Sequence, residues 1–211
     1  MEIIKEIDLE DQKVIHIVRD EDPHNPRQDD TFSTMLCFHN GYNLGDNHGY
    51  NKDEYGGWDS LKHIIVKNER PLIIKELHMY DHGGIAISTS PFSCRWDSGQ
   101  IGYVWISQNH IDNIGCNMED SETWQDYIDR LDKYVENEVT EYNDYLQGNV
   151  YGFQLIDEDK NIIDNLNGEE FQLGINFEMS KVKELLTSIN FGEYIEKAKK
   201  EVAKNLKSNS L

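Results

Sequence analysis

A dense group of chemically reactive side chains lies between Tyr80 and Gly102, in the stretch YDHGGIAISTSPFSCRWDSGQIG. Histidine, aspartate, serine, cysteine and arginine stand there between glycines. One interpretation is a nucleophilic site in which Cys94 or Ser88 attacks a substrate. His82 would act as the base and Asp81 would orient it. His39 is the alternative base, and Asp97 is the alternative orienting residue.

The sequence also offers a structural interpretation of the same stretch. It contains no G-x-S-x-G elbow, and only Arg95 gives Cys94 the positive setting that a catalytic cysteine needs. Asp97, Ser98 and Gly99 are turn-forming residues. The stretch is then two strands around a polar loop, 91–99, that satisfies its own backbone. We expect one small pocket there, lined by Tyr80, Asp81, His82, Trp96, Asp97 and Gln100.

Metal binding is a third chemistry to consider. Cys37 and His39 lie two residues apart in a predicted strand and so face the same way. Their side chains are of the types that zinc prefers, and carboxylates suit Mg²⁺. The sequence has no C-x-x-C, H-E-x-x-H, Walker A or dinucleotide-binding motif, so it predicts no cofactor and leaves the metal open. Further candidate ligands are His48, Asp81, His82 and Cys94 for zinc, and Asp20, Asp22, Asp46 and Asp81 for Mg²⁺.

The elements that must position these residues are a mixture of strands and helices. Alternating apolar residues predict strands, helical spacing predicts a helix over 58–68, and the Gly- and Asn-rich segment 40–57 is a long loop. A hairpin is predicted over 150–164, with its turn at 157–160. Short connections then favour an α+β fold around a largely antiparallel sheet. The predicted strands are 13–20, 34–39, 71–81, 84–90 and 100–108.

The clearest predicted helix is long, amphipathic and acidic, and runs from Ser121 to Gln147. Ser121 is expected to cap its start and Gly148 its end. An apolar stripe, which includes Trp124, predicts the buried side. Successive turns are about 5.4 Å apart, a spacing comparable to that of DNA phosphates. The acids expected to bind a partner are Glu122, Asp126, Asp129, Asp132 and Glu136.

Charge is the strongest global signal, because 40 acidic residues face 20 basic ones and leave a net charge of −20. Such a surface repels nucleic acid and anionic membranes and attracts basic proteins. The three cysteines are an odd count without a close pair, which argues against a disulfide framework. The sequence shows neither a bilayer-spanning apolar run nor a signal-peptide pattern. We therefore expect a cytoplasmic protein that contacts neither nucleic acid nor a membrane directly.

The C-terminal part differs in charge from the rest of the chain. Residues 179–211 hold seven lysines and four glutamates, a net charge of +3. Apolar residues recur at helical spacing over 180–206, which predicts a C-terminal helical segment that packs on the body or on a second subunit. The sequence thus predicts a core domain, 1–170, and a helical appendage, 171–211, through which the protein could form a homo-oligomer.

Several polar segments of the chain match the sequence patterns of a known protein family at fixed spacing. Among them are D-P-x-N-P-R, T-M-x-C-F-H, Y-x-L-G-D-x-H and S-T-S-P-F-x-C-x-W-D-S-G-Q. Residues 138–152 match E-x-x-x-Y-x-x-Y-L-x-G-x-V-Y-G. Over about residues 18–165 the chain resembles a family of small, mostly uncharacterised proteins from bacteriophages, mobile elements and their bacterial hosts. It departs at Gly83-Gly84, where the family often has Ser then Gly, and at Arg95, where the family usually has proline. The resemblance implies a phage or mobile-element origin and brings no reaction with it.

Charge, the acidic helix and the resemblance together predict a non-enzymatic accessory protein in the cytoplasm of the host cell. It would bind and inhibit a basic, nucleic-acid-handling host protein as a DNA mimic of the anti-defence type. The alternative is a small hydrolase or metal-dependent enzyme, with His82, Asp81 and Cys94 as its catalytic residues.

Overall fold

The computed structural model describes residues 2–8, 14–51 and 54–166. The described residues form two compact units: one holds those up to His24 with those of 148–166, and the other is Asn25–Gln147. The predicted α+β class and antiparallel pairing are confirmed, with two sheets instead of one. The predicted boundary at 170 and the C-terminal helices lie outside the described residues and stay predictions.

In chain order the elements are β1 (Ile3–Asp8), β2 (Val14–Arg19), β3 (Thr34–Cys37), α1 (Trp58–Glu69), β4 (Pro71–Asp81), β5 (Ile85–Ser88), β6 (Ser98–Ser107), α2 (Gln108–Ile114), α3 (Trp124–Leu146), β7 (Tyr151–Ile156) and β8 (Ile162–Leu166).

The first unit is built on an antiparallel sheet with the strand order β1-β2-β7-β8. Ile17 and Val18 of β2 and Tyr151 of β7 are buried, as expected for the inner strands of a sheet. The predicted hairpin is confirmed as β7 and β8. Lys160 takes a left-handed conformation (φ 66°) in its turn, and the Asp157 carboxylate accepts a 2.7 Å hydrogen bond from the Asn161 N–H.

The second unit is a sheet with the order β3-β6-β4-β5, covered by a helix on each face. Residues 101–106 of the central strand β6 are all buried, because both faces of that strand are covered. Val104 and Ile106 pack on the side of α3. Tyr103 and Trp105 pack with Leu61 of α1 on the opposite side.

The two strands predicted on either side of the polar loop are present as β5 and β6. Both strands pair with β4 and lie on opposite sides of it, so they do not form a hairpin with each other. The intervening segment 89–97 carries the chain past the end of β4, where the Asp81 N–H donates a 2.8 Å hydrogen bond to the Asp97 carbonyl. The loop therefore crosses the end of β4 and connects the strands on its two sides.

The long helix α3 begins three residues later than predicted. Thr123, instead of Ser121, is its N-cap, and Thr123 and Asp126 form a reciprocal capping box. The predicted buried stripe is confirmed at its centre, but Trp124 at the first turn is 57% exposed. The buried side chains of α3 are Tyr127, Leu131, Val135, Val139 and Tyr142.

Two elements were not predicted from the sequence. The strand β1 lies in an N-terminal segment whose acidic residues interrupt the apolar pattern. The helix α2 has seven residues, too few to show a clear helical period. Its start is capped by Ser107, whose side chain accepts from the His110 N–H, and it ends at Gly115 in a left-handed conformation.

Gly102 is required where β3 and β6 pair, since a Cβ atom there would lie 1.7 Å from the Leu36 carbonyl oxygen. We predict that Gly102→Ala lowers the free energy of unfolding by more than about 4 kcal/mol, because the strands would have to separate. Gly99→Ala in the same strand is the control: a Cβ there meets nothing within 4 Å, and the expected change is about 0.5 kcal/mol or less. Urea unfolding followed by tryptophan fluorescence measures both, and equal losses would contradict the prediction.

Candidate functional site

The reactive stretch places His82 and Cys94 around one carboxylate. The Asp97 Oδ2 atom lies 3.4 Å from the His82 Nδ1 atom and 3.5 Å from the Cys94 Sγ atom. The residue that contacts His82 is thus Asp97, the alternative orienting residue, and not Asp81. A catalytic cysteine has to contact its base, whereas here the thiol donates to the aspartate. Cys94 therefore contacts the carboxylate of Asp97 and not the imidazole of a base.

The other residues predicted to line a pocket in this stretch mostly support the loop. Tyr80 packs against Phe92, with ring centroids 5.8 Å apart, and Gln100 donates to the Gly102 carbonyl at 3.3 Å. The Ser98 hydroxyl donates to the Cys94 carbonyl. Trp96 is 95% exposed. The polar side chains of the loop therefore hold its own backbone, as the structural interpretation predicts.

The candidate metal ligands do not come together in the described part of the chain, where no group of three or more His, Cys, Asp or Glu residues could hold a metal ion. Strand β3 ends at Cys37, so His39 is not on the strand as predicted, and its Nδ1 atom accepts from the Gly41 N–H at 3.1 Å. His48 contacts the Cys37 carbonyl at 3.0 Å. Burial raises the pKa of the Cys37 thiol to about 12, and the negative charge of Asp46 adds to the effect.

A buried ion cluster connects the loops of the second unit to α3. The Arg27 side chain is 2% exposed. It donates to both carboxylate oxygens of Asp46, from Nε at 2.8 Å and from Nη2 at 2.7 Å. It also donates to the Ser33 carbonyl at 2.7 Å and to Glu138 Oε2 at 3.4 Å. The strong, two-pronged contact with Asp46 makes this an ordered site.

The two carboxylates of the cluster also bind the backbone. Glu138 accepts hydrogen bonds from the Ser33 N–H at 3.0 Å, from the Ser33 hydroxyl and from the Phe32 N–H. Asp46 accepts from the Met35 N–H at 2.7 Å. Sequence reasoning missed this cluster, because Glu138 looks like any other acid of the helix. One signal was available: Arg27, Asp46 and Glu138 lie in three of the polar motifs singled out in the sequence, D-P-x-N-P-R, Y-x-L-G-D-x-H and E-x-x-x-Y-x-x-Y-L-x-G-x-V-Y-G.

Beside the cluster lies a cleft of about 280 Å³, which we call the Tyr134 cleft. The Phe32 and Tyr134 rings stack in its wall with their centroids 4.7 Å apart. Although Glu141 is exposed as a whole residue, the pKa of its carboxyl is raised, because neighbouring atoms displace water and the charges of Glu138 and Asp29 repel it. The lining residues are Pro26, Arg27, Asp29, Asp30, Thr31, Phe32, Tyr134, Asn137, Glu138 and Glu141.

The five acids predicted to bind a partner fall into two groups in the structure: three contact cations of the protein itself and two are exposed. Glu122 accepts two 2.8 Å bonds from Arg130, which lowers the pKa of Glu122. Asp132 and Glu136 share the Lys75 ammonium at 2.8 Å and 2.6 Å. Asp126 and Asp129 are exposed. Asp126 caps the helix start, and Asp129 accepts from the neutral Gln125 amide at 2.8 Å.

No family model, curated protein or solved structure matches the chain. In the parts of the chain that the structure describes, no helix is long and apolar enough to cross a membrane.

The ion cluster generates a stability prediction. We expect Glu138→Gln to lower the free energy of unfolding by roughly 2–3 kcal/mol, because it removes the charge that compensates buried Arg27 and weakens the bonds to the backbone of Phe32 and Ser33. Glu136→Gln, two residues away on the same helix, is the matched control. Its side chain is 43% exposed, and the expected loss is about 1 kcal/mol or less.

Tryptophan fluorescence in a urea titration reports on the correct unit, since all four tryptophans lie within residues 25–147. A loss for Glu138→Gln no larger than that for Glu136→Gln would show that the cluster is not important for stability.

The cysteines differ in the accessibility of their thiols. Cys94 and Cys116 are partly exposed, whereas Cys37 is buried with a raised pKa. We predict that a chromogenic disulfide reagent at pH 8 reacts quickly with Cys94 and Cys116 in the native protein, and with Cys37 only after denaturation. Fast reaction of all three thiols before denaturant is added would contradict the buried position of Cys37.

Proposed function

We propose that the protein binds a basic, nucleic-acid-handling protein through the acidic surface of its second unit and blocks that partner's nucleic-acid groove. The supporting observation is the charge that remains after the internal ion pairs are formed. Residues 25–147 contain 21 acids and nine Lys or Arg residues. Arg27, Lys75 and Arg130 are engaged by five of these acids. Apart from these eight groups, the same range of the sequence holds sixteen acids and six Lys or Arg residues, and this surplus of acids attracts basic surfaces.

The internal ion pairs favour a different set of acids for the proposed contact. Glu122, Asp132 and Glu136 are engaged with cations of the protein itself, so part of their charge is already compensated. Four exposed acids in the segment before α3 and in its first two turns are better suited, and we call them the α3 acidic patch: Glu119, Asp120, Asp126 and Asp129. Exposed charges of this kind steer a partner and fix its orientation more than they add affinity.

The resemblance to proteins of phages and mobile elements supports an anti-defence role for this binding. A host defence enzyme that handles nucleic acid needs a basic groove for the phosphate backbone. A protein that places carboxylates in that groove would compete with nucleic acid for the same lysine and arginine side chains. Inhibition then needs no chemical reaction by the acidic protein.

A second candidate function, a small hydrolase, is favoured by the contact of His82 with Asp97 at 3.4 Å. A histidine held by a carboxylate is a common general base. Metal analysis and a His82→Ala/Cys94→Ala double variant separate the two proposals. Partner inhibition by the double variant at the wild-type level favours binding, and loss of a measurable hydrolysis favours the enzyme.

The binding proposal predicts a charge-position effect. Glu119→Gln/Asp120→Asn/Asp129→Asn removes three charges of the α3 acidic patch but keeps the capping residue Asp126. Three exposed ion pairs at roughly 0.5 kcal/mol each amount to about a tenfold loss of affinity for the partner. The control, Glu54→Gln/Asp59→Asn/Glu76→Gln, has the same net charge and removes exposed acids elsewhere in the unit.

The partner is captured from a host lysate on the immobilised full-length protein and eluted by increasing salt, and its binding to DNA is then measured by anisotropy. We expect the wild-type protein and the control to inhibit DNA binding and the patch variant to inhibit weakly. The proposal fails if no nucleic-acid-binding protein is retained at low salt, or if both triple variants behave alike.

A further inference from the structure

We infer that the Tyr134 cleft is the receptor for one arginine side chain of a basic protein partner. This inference rests on the proposed function and adds to it a defined contact point, separate from the α3 acidic patch. The lining residues of this cavity all belong to the second unit. The shape, the charge and the rigidity of the cleft each support an arginine as its occupant.

The size and wall of the cleft suit a single long side chain. Its volume of about 280 Å³ is at the lower limit for small-molecule sites. Pro26, Phe32 and Tyr134 supply an apolar wall, along which the methylene groups of an arginine can lie while its charged end stays near the mouth.

The charge of the cleft is negative in spite of Arg27. That guanidinium is 2% exposed and is matched by Asp46 and Glu138, so it does not face an incoming cation unpaired. Asp29, Asp30 and Glu141 also line the cleft. A guanidinium carries five N–H donors in a planar fork and can satisfy several carboxylates and an amide at once. The Asn137 side chain in the lining is available as that amide.

The raised pKa of Glu141 is consistent with this occupant, since its causes are loss of water and repulsion by Glu138 and Asp29. A bound cation would relieve that repulsion, whereas an anion would increase it. The structure therefore favours a positively charged ligand over a phosphate or a carboxylate.

The walls of the cleft are held in place before any partner arrives. Glu138 accepts hydrogen bonds from the backbone N–H groups of Phe32 and Ser33. The Asn25 side chain caps the short 3-10 helix, Pro26–Gln28, by accepting a 3.0 Å hydrogen bond from the Arg27 N–H. The Phe32–Tyr134 stack links the loop to α3. A preformed site of this kind costs little ordering entropy on binding.

The test uses the peptide acetyl-Gly-Arg-Gly-amide and the same peptide with citrulline, which has nearly the shape of arginine but no charge. Each is titrated to roughly millimolar concentration into the ¹⁵N-labelled full-length protein. We expect the arginine peptide to shift the amide signals of Thr31, Phe32, Asn137 and Glu141, and citrulline to leave them in place. Asp30→Asn/Glu141→Gln should weaken arginine binding at least fivefold, while Glu119→Gln/Asp120→Asn, with the same net charge, should bind as the wild type does.

Equal shifts with citrulline, shifts confined to residues outside the cleft, or unchanged binding by Asp30→Asn/Glu141→Gln would overturn the inference. The same cleft variant in the partner-capture assay separates the two proposals. If it inhibits the partner at the wild-type level, the arginine contact is wrong and the proposed function stands. If the wild-type protein retains no nucleic-acid-binding protein but the arginine peptide shifts the cleft signals, the proposed function fails and the cation site stands.

Discussion

The second unit depends on one buried cation. Arg27 can remain charged inside the protein only because Asp46 and Glu138 surround it, and an unmatched guanidinium there would cost several kcal/mol. The same carboxylates hold the backbone at Phe32, Ser33 and Met35. Charge compensation thereby holds three parts of the unit together: the segment before β3, the loop near Asp46 and α3. The same contacts hold one wall of the Tyr134 cleft in place.

The local patterns of the sequence predict most of the helices and strands, but they do not predict ion pairs between residues that are far apart in the sequence. Alternation and helical spacing indicate β3–β6 and α3 because each pattern is contained in a short window. Arg27 and Glu138 are 111 residues apart, and no spacing rule connects them. For the same reason the helix pattern predicts a solvent-facing row of acids. Lys75, on another element, engages Asp132 and Glu136.

The stretch 80–102 shows how residue types alone can mislead about chemistry. Its histidine, aspartate and cysteine do come close together, as the sequence suggests. Their order in space is nevertheless set by the turn, which places Asp97 between His82 and Cys94. The spatial order decides whether the thiol contacts a base or a carboxylate, and the linear sequence does not contain that order.

The strand order of the first sheet has a consequence for synthesis on the ribosome. Strand β2 pairs with β7, from Arg19 opposite Tyr151 to Val14 opposite Ile156, so the whole second unit is an insertion between adjacent strands. β2 emerges from the exit tunnel long before its neighbour is translated, and its edge remains open during that time. The inserted unit is contiguous and can fold meanwhile. Folding of the inserted unit would shorten the effective loop between β2 and β7, and a shorter loop lowers the entropy cost of pairing the two strands.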